Sequence, residues 1–159
     1  MTTWIPTTWV NKVTNFKMVT FDSMLADTSR TLAKDYLAKA SPRRIKRNTI
    51  GCKILQYSPT KKNGYVQLSV NNKKGPVCHK VACLLANGPP PDTDSQASHL
   101  CGNARCCAEV HQVWEDPETN NSRKGCKGFI KIDGTTYETA ECNHNPRCLT
   151  TVTAASKVE

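Results

Sequence analysis

The run Ser98-His99-Leu100-Cys101-Gly102-Asn103-Ala104-Arg105-Cys106-Cys107-Ala108-Glu109-Val110-His111 holds the densest chemistry in the chain. Cys101, Cys106 and His111 follow a Cys-x4-Cys-x4-His spacing, which suits three ligands of one tetrahedral zinc. A closed structural site needs a fourth ligand. Cys52 is the best candidate, because a ligand from far along the chain would tie a strand to this loop. A second Cys3His set follows in Cys126, Cys142, His144 and Cys148. Thiolate and imidazole donors favour zinc over calcium or magnesium. His99 is left over inside the first set. Imidazole titrates near ambient pH, so His99 is a candidate general base. A packed or ligating histidine is an equal reading of the residues alone.

The chain has nine cysteines and four histidines in 159 residues. The odd cysteine count, with no secretory pattern in residues 1–10, argues against a disulfide framework. No segment approaches the ~18 apolar residues of a membrane helix. The expectation is a soluble intracellular protein with no membrane partner. Cys78, Cys83 and Cys107 fall outside both zinc sets and read as small core residues. Cys78-His79-x3-Cys83 as a third ligand set is the less favoured reading. Lys and Arg number 22 against 13 Asp and Glu, a formal charge of +9. Such a balance is common in polyanion binders, and equally serves solubility.

The elements that would position these residues are legible in outline. Residues 21–40 carry a helical pattern, capped by Asp22 or Ser23 and ended by Ser41-Pro42. Arg43, Arg44, Lys46 and Arg47 form a basic cluster: a linker, a phosphate contact or a nuclear address. Residues 50–79 alternate as strands around the turn Lys61-Lys62-Asn63-Gly64 and a lysine-rich turn at 71–75. One face of this expected ribbon is apolar. The other offers Lys53, Tyr57, Tyr65, Gln67 and Ser69, with Lys61, Lys62, Lys73 and Lys74 in the turns. A ribbon of this kind can lie in a DNA major groove. A short helix should end at Asn87-Gly88. Asp116 and Pro117 should start another over residues 115–124, and Asp133-Gly134 marks a hairpin.

Residues 97–126 resemble the His-Cys box homing endonucleases of the ββα-metal (His-Me finger) group. The resemblance rests on Ala97-Ser98-His99-Leu100-Cys101, Asn103, Arg105-Cys106, His111, Trp114-Glu115, Asn120, Arg123 and Cys126, and the second zinc set extends it to about residue 148. It implies a site-specific DNA endonuclease with an α+β, zinc-stabilised domain and an antiparallel β-ribbon. His99 would be the base that deprotonates water. Asn120 would hold one catalytic magnesium, although Asn121 adjoins it. Two structural zincs would sit in the two Cys3His sets. The partners would be double-stranded DNA and a second copy of the chain, in the nucleus. Arg105 and Arg123 join the lysines as candidate DNA contacts.

The implied organisation is a single domain over 1–159. Residues 1–48 form a helical extension, 49–80 the ribbon, 97–126 the box, 126–148 the second zinc site and 149–159 a tail. The chain departs from the family pattern in three places. The gap between Cys126 and Cys142 is long. Cys107-Ala108 replaces polar residues. The ribbon lacks the arginine expected near the cleaved phosphate, for which Lys73, Lys74, Lys80 or Arg105 are candidate substitutes. Loss of catalysis with retained DNA binding, and a non-specific nuclease, are the alternative functions.

Overall fold

A computed structural model describes residues 18–59, 63–126, 129–132, 135–138 and 142–150. Lys61, Lys62, the Asp133-Gly134 turn and residues 151–159 lie outside this set. The described fold is a small α+β arrangement of short antiparallel strand pairs packed with helices.

The expected helix over 21–40 is two helices, α1 (Phe21–Ala26) and α2 (Thr31–Ala38). Thr20, not Asp22 or Ser23, caps α1, with Ser23 completing a capping box. The break follows from Asp27. Its carboxylate accepts the backbone N–H groups of Ser29 at 3.2 Å and Leu32 at 2.8 Å, competing with helix continuation. The buried face of α2 then presents Ala33, Tyr36 and Leu37.

The basic cluster is neither linker nor free loop. Residues 42–44 form a 3-10 turn, and β1 (Ile45–Arg47) pairs antiparallel with β2 (Lys53–Leu55). This takes the first strand out of the expected two- or three-stranded ribbon. Ile54 of β2 pairs with Lys46 on one edge and bridges Cys106 on the other, so no edge remains for the following strand. The later hairpin stands alone as β3 (Gln67–Val70) and β4 (Lys73–Val77). Asn71 and Asn72, both at positive φ, make its turn.

The hairpin runs directly into α3 (Cys78–Asn87), which buries Cys78, Val81, Ala82 and Leu84 against α2. Gly88, at φ +76°, ends it as expected. β5 (Gln96–His99) pairs with β6 (Gln112–Glu115), and α4 (Pro117–Ser122) follows with Asp116 as its cap. β5, β6 and α4 make a ββα unit around the cysteine-rich loop. The residues after it contribute β7 (Phe129–Ile132), paired antiparallel with β8 (Thr135–Glu138) and parallel with β9 (Leu149–Thr150).

The main apolar core joins α2, the β3–β4 hairpin and α3, and includes Cys78 and Cys107 as small buried side chains. Tyr36 is its polar tie. Its hydroxyl accepts the Leu68 N–H at 2.9 Å and donates to the Pro76 carbonyl at 2.6 Å. Gly75 permits this approach: a Cβ there would stand 2.5 Å from the Tyr36 ring. Tyr36→Phe leaves two buried backbone groups unpaired, and should destabilise the protein by about 1–3 kcal/mol in chemical denaturation. Gly75→Ala should lower the melting midpoint as well, because the ring must move out of its place.

Candidate zinc sites and active-site cavity

The first cluster assembles where β2 meets the box. Asn48 Oδ1 accepts the Cys52 N–H at 2.9 Å, setting the turn that delivers Cys52. The Cys107 N–H donates to the Lys53 carbonyl, and the Leu55 N–H to the Arg105 carbonyl, both across the Ile54–Cys106 bridge. The ligand atoms of Cys52, Cys101, Cys106 and His111 consequently lie within 4.8 Å of one another. Cys106 Sγ and His111 Nδ1 are 3.6 Å apart. A tetrahedral zinc with bonds near 2.3 Å has edges of about 3.8 Å, so the donor set fits the ion. The close packing of the four groups also shifts their proton affinities. Hydrogen bonds from Cys101 and Cys52 hold Cys106 far below the usual thiol range. The Cys106 sulfur in turn lifts the His111 imidazole to about 9. Metal binding displaces these protons.

The second cluster is Cys126, Cys142, His144 and Cys148, again within 4.8 Å. His144 Nδ1 is 3.6 Å from Cys142 Sγ and 3.4 Å from Cys148 Sγ. Burial raises the Cys142 thiol, but the Cys148 N–H and the His144 side chain outweigh it and bring Cys142 down to about 6. His144 Nε2 sits 2.8 Å from Ser122 Oγ, whose hydroxyl donates to the Thr119 carbonyl. Ser122 is thus left to accept an Nε2–H, which turns the Nδ1 lone pair to the sulfurs. The two clusters fit two structural zinc ions. Cys78, Cys83 and Cys107 stay outside both, buried as expected.

A cavity of about 460 Å³ lies between the clusters, lined by His99, Asn120, Tyr65, Lys124, Cys126 and Cys148 among others. His99 ends β5, with Nε2 3.1 Å from the Cys106 carbonyl. Burial pulls its pKa below the ordinary value, against the opposing influence of Cys106, and so favours the neutral ring. Asn120 stands on α4, which packs on β5. Its Nδ2 donates to Gln96 Oε1 at 2.8 Å, leaving Oδ1 as the end of the amide with no partner among the described residues. Asn121 instead gives its Oδ1 to the Lys124 ammonium at 2.7 Å.

The expected DNA contacts divide. Ser69, Lys73 and Lys74 are exposed on the β3–β4 hairpin, with Ser69 paired opposite Lys74. Several others are engaged inside the fold. Gln67 donates to the Gly75 carbonyl, and Arg105 to the Tyr57 carbonyl at 2.8 Å. Lys53 is half-buried beside Cys107. Tyr65 packs tilted against His79, with centroids 4.3 Å apart. Tyr57 accepts the Ser41 N–H and carries Arg44 over its ring.

Arg123 needs the largest correction. It is buried in a paired contact with Glu115, and donates to the Pro146 carbonyl and Cys148 Sγ. Four of its five N–H groups are committed, so it braces the second cluster rather than offering itself to phosphate. Lys80 lies over the Phe21 ring, away from the cavity. Lys124, which sequence reasoning passed over, is the exposed cation on the cavity wall among the described residues. Gln96 and Ser122 also escaped notice as supports, since nothing in their spacing marks them, and Glu115, although part of the matching run, had no role assigned.

A ββα unit stapled by two Cys3His clusters defines a zinc-stabilised α+β domain. The family model described as the zinc-binding loop region of homing endonuclease matches residues 51–159, and the chain belongs to that family. Membership carries a nuclease-related role and DNA as the partner. No curated protein and no solved structure matches the chain. Among the described residues, no helix is long and apolar enough to cross a membrane.

Elemental analysis should return two zincs per chain, one for each cluster. Ser122→Ala should weaken the second zinc by roughly ten- to a hundred-fold in chelator competition, leaving the first unchanged.

Proposed function

We propose that the protein is a site-specific homing endonuclease that makes double-strand breaks in DNA with His99 as general base. The observation that carries this reading is that His99 and Asn120 line one cavity, each with one end of its side chain tied and the other uncommitted among the described residues. With Nε2–H donated to the Cys106 carbonyl, His99 keeps the lone pair on Nδ1. A water placed there loses its proton to Nδ1 and attacks the phosphorus. Half-burial keeps the ring neutral and ready to accept.

Asn120 Oδ1 fits the ligand expected for magnesium, a hard ion that takes oxygen donors and keeps much of its shell for water and phosphate. When bound, such an ion supplies positive charge against the scissile phosphate and the departing 3′ oxygen. Gln96 orients the amide for that task, and the Lys124 contact takes Asn121 out of competition. The zinc clusters use all their protein ligands on structure, and so hold the cavity rather than act in it. The exposed Ser69, Lys73 and Lys74 support major-groove contact by the β3–β4 hairpin.

The protein acts as a homodimer, one subunit cutting each strand, because one chain of this size spans too few base pairs to specify a rare site. Its place of action is the nucleus. A genomic fragment library, cut in magnesium and read by end sequencing, tests the activity. Cleavage should be confined to one or a few pseudo-palindromic sites; cuts scattered at random would instead establish a non-specific nuclease, and none at all a DNA-binding module.

His99→Ala should lower the cleavage rate by roughly 10²–10⁴-fold and leave DNA affinity unchanged in a gel-shift titration. Undiminished cleavage removes His99 from the base role. Asn120→Ala should impair magnesium-dependent cleavage far more than Asn121→Ala; the opposite order moves the ligand by one residue.

A further inference from the structure

A second histidine, which neither zinc cluster uses, stands directly against His99. His79 lies in the first turn of α3 and is 8% exposed. Its ring centroid is 4.5 Å from that of His99, with the planes inclined by 35°. Tyr65 closes the group, its centroid 4.3 Å from that of His79 and 5.9 Å from that of His99, with its plane nearly parallel to the latter at 18°. Three rings from three separate stretches of chain therefore meet, and two of them, Tyr65 and His99, line the cavity. Such spacings are those of attractive ring contacts.

We propose that His79 is a positioning residue for His99: its ring is a flat wall that keeps the His99 imidazole on the Cys106 carbonyl. The proposal rests on His99 being the base. His99 hangs from the end of a short strand, and the Nε2 contact at 3.1 Å is the one hydrogen bond of its ring among the described residues. One hydrogen bond leaves the ring free to swing about the bond to its backbone. A planar neighbour at stacking distance removes that freedom.

Two further observations favour a role through the ring face. His79 Nδ1 is buried and has no hydrogen-bond partner among the described residues, so only the other ring nitrogen is left to meet the Ala97 backbone. The wall itself cannot retreat, because the neighbouring α3 residues Cys78, Val81 and Ala82 are packed in the main core. Burial, with His99 nearby adding to it, also brings the pKa of His79 down to about 3 against a hydrogen bond to the Ala97 backbone. The wall is consequently an uncharged ring.

The test compares zinc-loaded wild type, His79→Leu, His79→Phe and His99→Ala on a DNA fragment that the wild type cuts in magnesium. Leucine and phenylalanine both fill the site, and zinc content with thermal melting checks the fold. His79→Leu should lower kcat by roughly ten-fold or more with KM within roughly two-fold, while His79→Phe stays within roughly three-fold of wild type. Nitrogen NMR of the His99 ring, taken without DNA, is the second readout. Wild type and His79→Phe should show the Nε2–H form, and His79→Leu a mixture of forms.

Wild-type kcat in His79→Leu overturns the proposal. So does an equal loss in Leu and Phe, a loss matched by falling zinc content or melting midpoint, or an unchanged His99 spectrum in His79→Leu. A wild type that cuts no DNA, or a His99→Ala that still cuts, defeats the reading of His99 as base instead. The ring spectrum then still decides whether His79 holds the ring.

Discussion

Cys106 is gripped from several directions at once. Its sulfur belongs to the first cluster, its backbone bridges β2 through Ile54, and its carbonyl receives both His99 Nε2 and Gln112 Nε2. The position of the candidate base is therefore a consequence of where the cluster puts this one peptide. The apolar core does not reach far enough to do the same work. Around the cluster it shrinks to Cys52, Cys106 and Ala108, with Ile50, Ile54 and Cys101 at its margin. Metal–ligand bonds are a physical substitute for missing side-chain packing in domains of this size.

The second cluster stands in the same relation to Asn120. Ser122 and Arg123 sit two and three residues beyond it, and contact His144 and Cys148. Arg123 also pairs with Glu115, at the end of β6. One cluster thus sets the strand that bears His99, and the other sets the helix that bears Asn120. The Gln96–Asn120 hydrogen bond joins the two halves across β5 and α4. A buried guanidinium contributes here by closing a network, since Glu115 left alone at that depth would be costly.

Local signals were read well wherever the physics is local. Asp116-Pro117 starts α4, Asn87-Gly88 ends α3, and the strands flanking Asp133-Gly134 pair as a hairpin. Residue-pair preferences within a few positions govern each of these. The single helix expected over 21–40 failed at Asp27, where a side chain competes for the backbone of the next turn. The ribbon expected over 50–79 keeps its β3–β4 hairpin but loses its first strand, for a different reason. β-pairing depends on which edges are free, and Cys106, some fifty residues on, occupies one edge of β2.

The sequence by itself determined the ligand chemistry: which sulfurs and imidazoles belong together, how many metal ions they suit, and that His99 is the histidine left over beside them. Donor type and spacing carry that information, because a tetrahedral site accepts few arrangements of short loops. Only the tertiary structure decided which charged and aromatic groups remain available. Arg123, Arg105 and Gln67 look alike in a sequence whether they face solvent or a carbonyl. Their partners come from β6, the β2 exit and β4, brought close by folding. The ring group of Tyr65, His79 and His99 is of the same kind, for three aromatic residues spread over 35 positions meet only when three stretches of chain converge.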